Sequence, residues 1–277
     1  MSIQNWFITG ASSGLGEAIA HAVLRAGHRV AATARDIVRL DRLAAEYPEA
    51  VLPLSMDLNS QSDIKAAVHA AEDRFGGIDV IVNNAGIGYL AAVEEGEDEK
   101  IRTLFQTNFF GVASTIREVL PGMRARGRGA IVNVSSVAGV VSFPANGYYA
   151  ASKFALEGLS EALYQEVRPL GIKVMTVEPG GIRTGIVQRN LRSPKVAGYE
   201  DTAHAFMDML LNDADSALAP GDPRRMAQLI VRLVAAGDMP QRLILGADSW
   251  DAIMAKTEAQ QAEYRAYRDI AHSTYFA

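Results

Sequence analysis

Seven short apolar runs, separated by longer amphipathic stretches, constrain the fold of this chain more than any other feature. The runs lie at 6–8, 29–33, 51–54, 80–82, 130–134, 173–177 and 242–245, lengths suited to buried strands. Apolar residues recur at helical spacing over 17–25, 62–74, 100–124, 153–168 and 224–235. Strands that alternate with helices favour a parallel sheet covered on both faces, an α/β, doubly wound arrangement of about seven strands. At 277 residues, with 49% hydrophobic and 21% charged side chains, residues 1–277 fit one domain with a full core. The one long interruption, near 186–220, carries Phe206, Met207, Met209, Leu210 and Leu211 between polar segments and reads as a lid over a substrate. A helical extension near 251–271 reads as a surface helix or a subunit contact.

Directly after the first run comes Thr9-Gly10-Ala11-Ser12-Ser13-Gly14-Leu15-Gly16, and a helix begins inside it. Glycines let the backbone turn sharply and approach a ligand, while the free N–H groups of a helix start attract phosphate. Gly10, Ser12, Ser13, Gly14, Leu15 and Gly16 are therefore candidate contacts for the pyrophosphate of a dinucleotide, and the sheet is expected to be Rossmann-type. A tight helix–strand crossing would also call for glycine here. The spacing Gly-x-x-x-Gly-x-Gly lacks the Gly-Lys-Ser/Thr ending of a triphosphate-hydrolysing loop.

The second run should say which dinucleotide is held. NAD sites place an acid at its end to accept from the ribose, whereas NADP sites supply a cation for the extra phosphate. Here the run ends Ala32-Thr33-Ala34-Arg35-Asp36, with Ala34 where the acid would stand and Arg35 after it. NADP(H) is the expected cofactor and NAD(H) the alternative; Asp36 is either the partner of Arg35 or the cap of the next helix.

Two tyrosines stand side by side in Asn146-Gly147-Tyr148-Tyr149-Ala150-Ala151-Ser152-Lys153. A phenol, with its reference pKa near 10, needs a stabilising cation to do acid or base work at neutral pH. Residues four apart share a helix face, which pairs Tyr149 with Lys153 and Tyr148 only with Ser152. The fifth run ends in Ser135-Ser136, hydroxyls at the carboxyl edge of the sheet that could share a carbonyl oxygen with the phenol.

Taken in order, these motifs resemble the short-chain dehydrogenase/reductase family over nearly the whole chain. To the glycine turn, Tyr149 and Lys153 are added Asp57 after the third run, Asn83-Asn84-Ala85-Gly86 after the fourth, Asn108 in the next helix, and Pro179-Gly180 after the sixth. The resemblance selects Ser136, 13 residues before Tyr149, over Ser135. It implies that Tyr149 moves the carbonyl/alcohol proton, that Ser136 steadies the substrate oxygen, and that Lys153 lowers the phenol pKa and holds the nicotinamide ribose. It implies further that Asn108 anchors a water linked to Lys153, that Asp57 and Leu58 flank the adenine, and that Asn84, Ala85 and Gly86 line its ribose. Pro179, Gly180, Ile182 and Thr184 would hold the nicotinamide. The segments around 149–158, 177–184 and 221–223 are similar to hydroxysteroid- and retinol-dehydrogenase-like members, whose NADP-using branch Arg35 fits.

The expected activity is NADP(H)-dependent interconversion of a carbonyl and an alcohol on an apolar small molecule. The competing reading is a dinucleotide-sensing regulator or scaffold of the same fold. A net charge of −5, with no long basic run, argues against nucleic acid. No apolar run reaches membrane-spanning length, and the absence of cysteine suits a reducing, cytoplasmic setting. The five histidines, at 21, 28, 69, 204 and 272, lack ligand spacing, so no metal is expected. A homodimer or homotetramer is implied by the resemblance alone.

Overall fold

A computed structural model describes residues 3–185, 187–212 and 218–276. In chain order its elements are β1 (Asn5–Ile8), α1 (Gly14–Arg25), β2 (Arg29–Ala34), α2 (Asp41–Glu46), β3 (Val51–Ser55), α3 (Gln61–Phe75), β4 (Val80–Asn83), β5 (Tyr89–Leu90), α4 (Asp98–Phe105), α5 (Gly111–Arg126) and β6 (Gly129–Val134). Then follow α6 (Gly147–Val167), β7 (Ile172–Pro179), β8 (Leu191–Arg192), α7 (Ala205–Asn212), α8 (Pro223–Ala236), β9 (Arg242–Leu245), α9 (Ala247–Ala266) and α10 (Arg268–His272).

All seven expected strands join one parallel sheet in the order β3-β2-β1-β4-β6-β7-β9. Strand side chains alternate between faces, and the two cores record that alternation. Trp6, Ile8, Val80, Val82 and Val132 pack against α1 and α8, whereas Phe7, Ile81, Ile131 and Val174 pack against α3, α5 and α6. The sheet is thus a doubly wound, Rossmann-type layer with helices on both faces. Its order reverses between β1 and β4, which opens a crevice at their carboxyl ends.

Two details depart from the sequence expectation. The helix expected over 100–124 is two helices joined by a π-helical turn, Gln106–Phe110, because the buried Asn108 side chain reaches out of it to the Ile87 backbone, accepting from its N–H and donating to its C=O, both at 2.9 Å. The two short strands β5 and β8 pair in parallel, Tyr89 with Leu191 and Leu90 with Arg192, and tie the segment after β7 to the body. Of the expected lid near 186–220, Ile186 and residues 213–217 lie outside the described residues. Residues 258–276, most of the C-terminal helical stretch, are all exposed in the single chain.

Candidate active site

The ends of β1, β2, β3, β4, β6 and β7 open on one cavity of about 670 Å³. At its first end the glycine turn is held in a shape that side chains resist. Gly10 and Gly14 have φ of +67° and +62°, and a Cβ on Gly10 would lie 2.9 Å from the Ala85 Cα. Ser13 caps α1 with extended backbone and makes no side-chain hydrogen bond to the helix N–H groups, so the helix start is left to face the cavity that Ser12, Ser13, Gly14 and Leu15 line. Asn84 sets this loop from below: its Nδ2 donates to the carbonyls of Thr9 at 3.0 Å and Gly10 at 3.2 Å, and Thr9 Oγ1 accepts from the N–H groups of Asn84 and Ala85. Gly16 stands behind the wall, because a Cβ there would lie 2.4 Å from the Gly10 oxygen; its glycine permits the crossing of α1 over β1. A glycine cradle with an uncapped helix start fits a pyrophosphate.

Next along the cavity, Arg35 is exposed at the end of β2, beyond the buried Ala34. Asp36 does not pair with it but accepts from the Val38 N–H at 3.3 Å, capping the 3₁₀ turn Ile37–Leu40. That turn brings a second cation, Arg39, to the same end of the cavity. Sequence reading missed Arg39, although its place four residues after Arg35 was a signal. Asp57 and Leu58 line the neighbouring wall, with Asp57 Oδ1 accepting from Asn59.

At the other end, Ser136 and Tyr149 face one space. Ser136 Oγ accepts from the Ala138 N–H at 3.1 Å, which leaves its own proton free to donate. Tyr149 lies in the first turn of α6, and Lys153, one turn on, is buried with Nζ donating to the Val134 carbonyl at 2.9 Å and 5.8 Å from the Tyr149 ring centroid. Burial pushes the Tyr149 phenol above its ordinary value, against the pull of Ser136, and pushes Lys153 down to about 8. Asn108 does not line the cavity; besides Ile87 it donates to Ser152 Oγ at 3.1 Å, holding α6 from behind. Gly86, Pro179, Gly180, Ile182 and Thr184 also line the cavity, Gly86 beside Lys153 and Thr184 beside Gly14 of the glycine turn. Tyr148 is turned away, its hydroxyl donating to the Val93 carbonyl at 2.6 Å and its ring stacked on Tyr89 at 5.8 Å.

Residues after β7 close the outer side. Phe143 and Phe206 stack at 5.7 Å, and Met209, Leu210 and Leu218 continue the apolar wall. The buried Glu95 anchors this segment, accepting from the Val196 N–H at 2.7 Å and meeting His204 Nε2 at 2.5 Å. Arg189 reaches back to the glycine turn, donating to Ser13 Oγ at 3.4 Å and to the Thr184 carbonyl at 3.1 Å. Neither Glu95 nor Arg189 carried a sequence signal, since the contacts that tie them to this site, Glu95 with Val196 and His204 and Arg189 with Ser13, span 101, 109 and 176 residues. Behind the site, Arg242 Nε lies 3.5 Å from both Glu157 and Glu178, and burial together with Glu157 raises Glu178 to about 7. Among the described residues no group of His, Asp or Glu could hold a metal ion.

Residues 4–195 match the family model described as short chain dehydrogenase. Among curated relatives, oxidoreductase BOA17 of Botryotinia fuckeliana is 34% identical over 96% of this chain and 97% of its own, and the 3-ketodihydrosphingosine reductase of Bacteroides thetaiotaomicron is 37% identical over 89% of each. A short-chain dehydrogenase from Streptomyces avermitilis superposes with a TM-score of 0.91 at 37% identity, covering 100% of both chains. A Burkholderia phymatum member solved with NAD has a TM-score of 0.82 at 26% identity over 96% of this chain and 95% of that one. A metagenomic member solved with NADP has a TM-score of 0.69 at 26% identity over 87% and 96%. The matched family model, the full-length relatives and the shared fold together place this chain in the short-chain dehydrogenase/reductase family of oxidoreductases.

Proposed function

We propose that the protein is an NADP(H)-dependent carbonyl reductase/alcohol dehydrogenase for apolar small molecules, with Tyr149 as its acid and base. The observation that carries this reading is the convergence of the Tyr149 phenol and the Ser136 hydroxyl on one cavity, with a buried lysine behind the phenol. Ser136 has a proton to donate to a carbonyl oxygen, and Tyr149 is placed to deliver one to the same atom. Lys153 sits where the nicotinamide ribose would lie against Gly86, and its charge favours the phenolate left after proton delivery. The bound nicotinamide supplies or takes the hydride; the protein supplies orientation and the proton.

Several further observations support NADP(H) over NAD(H). Ala34 leaves no acid at the end of β2, and Arg35 and Arg39 stand together at that end of the cavity. Two guanidinium groups complement an additional phosphate. The stacked Phe143 and Phe206, with Met209 and Leu210, favour an apolar substrate body, and the relative named a 3-keto reductase supports a ketone. The reading includes the NADP-using, hydroxysteroid- and retinol-dehydrogenase-like branch of the family, a role as substrate lid for the segment after β7, and a cytoplasmic homodimer or homotetramer. Among the described residues no helix is long and apolar enough to cross a membrane. The test is NADPH consumption across a panel of aliphatic and aromatic ketones and aldehydes. The purified protein should accelerate it with at least one class, and cofactor binding without any acceleration would favour the dinucleotide-sensing alternative.

A further inference from the structure

The segment after β7 brings a full positive charge to the start of α1. The 3₁₀ turn Val187–Arg189 sets the Arg189 guanidinium beside the glycine turn, where Nη1 donates to Ser13 Oγ at 3.4 Å and Nη2 to the Thr184 carbonyl at 3.1 Å. Ser13 is the N-cap of α1, and Thr184 packs on Gly14, where an added Cβ would lie 3.1 Å from the Thr184 Cβ. Ser13, Gly14, Thr184 and Arg189 all line the cavity. The backbone that carries Arg189 is tied to the body just beyond it: the Leu191 N–H donates to the Gly88 carbonyl at 2.9 Å, and Lys100 Nζ to the Arg192 carbonyl at 2.7 Å.

Within the chain alone this placement is electrostatically unfavourable. A helix start carries partial positive charge on its free N–H groups, which no side chain caps here, and a guanidinium beside it has the same sign. Among the described residues no carboxylate forms an ion pair with Arg189, and the acid in the first turn of α1, Glu17, pairs with Arg42 at 3.1 Å instead. The acceptors Arg189 does have are a neutral hydroxyl, at the long limit of a hydrogen bond, and a carbonyl. Both are weaker partners for a guanidinium than a phosphate oxygen.

We propose that Arg189 is a cofactor-binding residue that bonds the pyrophosphate of the dinucleotide, so that cofactor occupancy fastens residues 187–196 over the cavity. This inference rests on the dinucleotide-binding part of the reading above and not on its carbonyl chemistry. A pyrophosphate at the glycine turn turns the repulsion between guanidinium and helix start into attraction of both to one anion. The coupling is reciprocal: the factor by which Arg189 tightens cofactor binding is the factor by which the cofactor holds the segment in place. Arg189 is exposed, which keeps that factor to about two- to fivefold.

The test pairs titration of NADP⁺ and NAD⁺ with amide exchange read by mass spectrometry, on wild type, Arg189→Gln and Arg192→Gln. In wild type, saturating NADP⁺ should slow exchange across both 10–16 and 187–196, the latter by about two- to fivefold. Arg189→Gln should keep the slowing across 10–16, lose it across 187–196, and bind NADP⁺ and NAD⁺ each about two- to fivefold more weakly. Arg192 is the control: it belongs to the same segment, but its guanidinium donates to the Gln188 carbonyl at 3.2 Å, and Arg192→Gln should match wild type in every readout. Slowing across 187–196 that is absent in wild type or survives in Arg189→Gln, unchanged affinity for both dinucleotides, a loss confined to NADP⁺, or the same losses in Arg192→Gln would overturn the assignment. Wild-type protein that binds neither dinucleotide defeats the cofactor reading and this inference together. Binding without turnover of any carbonyl defeats only the reductase reading, and the exchange data still decide the role of Arg189.

Discussion

The two halves of the cavity are built by different means. The cofactor-facing half is made of strand ends and tight turns, where Gly10 and Gly14 take positive φ and the Asn84 and Lys153 side chains donate to backbone carbonyls at the ends of β1 and β6. The half beside the segment after β7 is held by side chains that reach across the chain: Glu95 to Val196 and His204, Tyr199 to Glu94 at 2.6 Å, and Tyr89 to Ser193. Local geometry fixes the first half against perturbation, whereas the second depends on a few buried polar ties and should loosen when one is cut.

The largest expected effect falls where the halves meet. Tyr149→Phe should lower kcat by about 10²–10⁴-fold with NADPH affinity nearly unchanged, because it removes only the proton donor. Tyr148→Phe should keep most activity, since that hydroxyl is spent on the Val93 carbonyl. Steady-state kinetics beside a fluorescence titration of NADPH checks both, and equal losses in the two variants would break the asymmetry.

Cutting the lid tie comes next. Glu95→Ala leaves His204 and the N–H groups of Ala92 and Val196 without their acceptor, and removing one partner of a buried charged pair costs about 3–5 kcal/mol when the partner is charged. Faster amide exchange across 193–212 and a raised KM for the carbonyl should follow, with NADPH affinity held. Loss of NADPH affinity in step with KM would show that the halves are not separable.

Within the cofactor half, Arg35→Ala should weaken NADPH binding by about 10–100-fold, the loss of a charge-assisted hydrogen bond, and NADH binding far less. Arg189→Gln, which alters the one lid cation seen at Ser13, should weaken both cofactors equally and only by a few fold. Parallel titrations with the two cofactors distinguish a 2′-phosphate contact from a pyrophosphate contact.

The smallest effect concerns the acids behind the site. Burial, with the neighbouring Glu157, raises Glu178 from 4.5 to about 7. The folded state therefore holds a proton that the unfolded chain releases between those values, and stability from this group is full below about 4.5 and lost as pH rises through about 7. Glu178→Gln mimics the protonated form, so its Tm relative to wild type should rise as the pH goes from 5 to 8. A constant difference across that range would contradict the shift.

The same contrast explains what could be read before the structure. The sheet was legible because alternation of apolar runs with helical patterns is a local signal, and each of the seven runs forms a strand of it; the strand order was not legible. The glycine turn, Tyr149 and Lys153 were legible as short spacings. Asn108 was placed in a continuous helix because nothing in 100–124 marks a π turn; the cause is the distant Ile87 backbone. Glu95 and Arg189 went unread for a related reason, as each gains its place at the site from a partner brought near only by folding.

One measurement reaches the central claim directly. NADPH carrying two deuterium atoms at the nicotinamide C4 should give, with an accepted ketone, an alcohol that bears one deuterium on its carbinol carbon by mass spectrometry. A product without deuterium there, or no alcohol from any carbonyl tried, would contradict hydride transfer between NADPH and a carbonyl held by Ser136 and Tyr149.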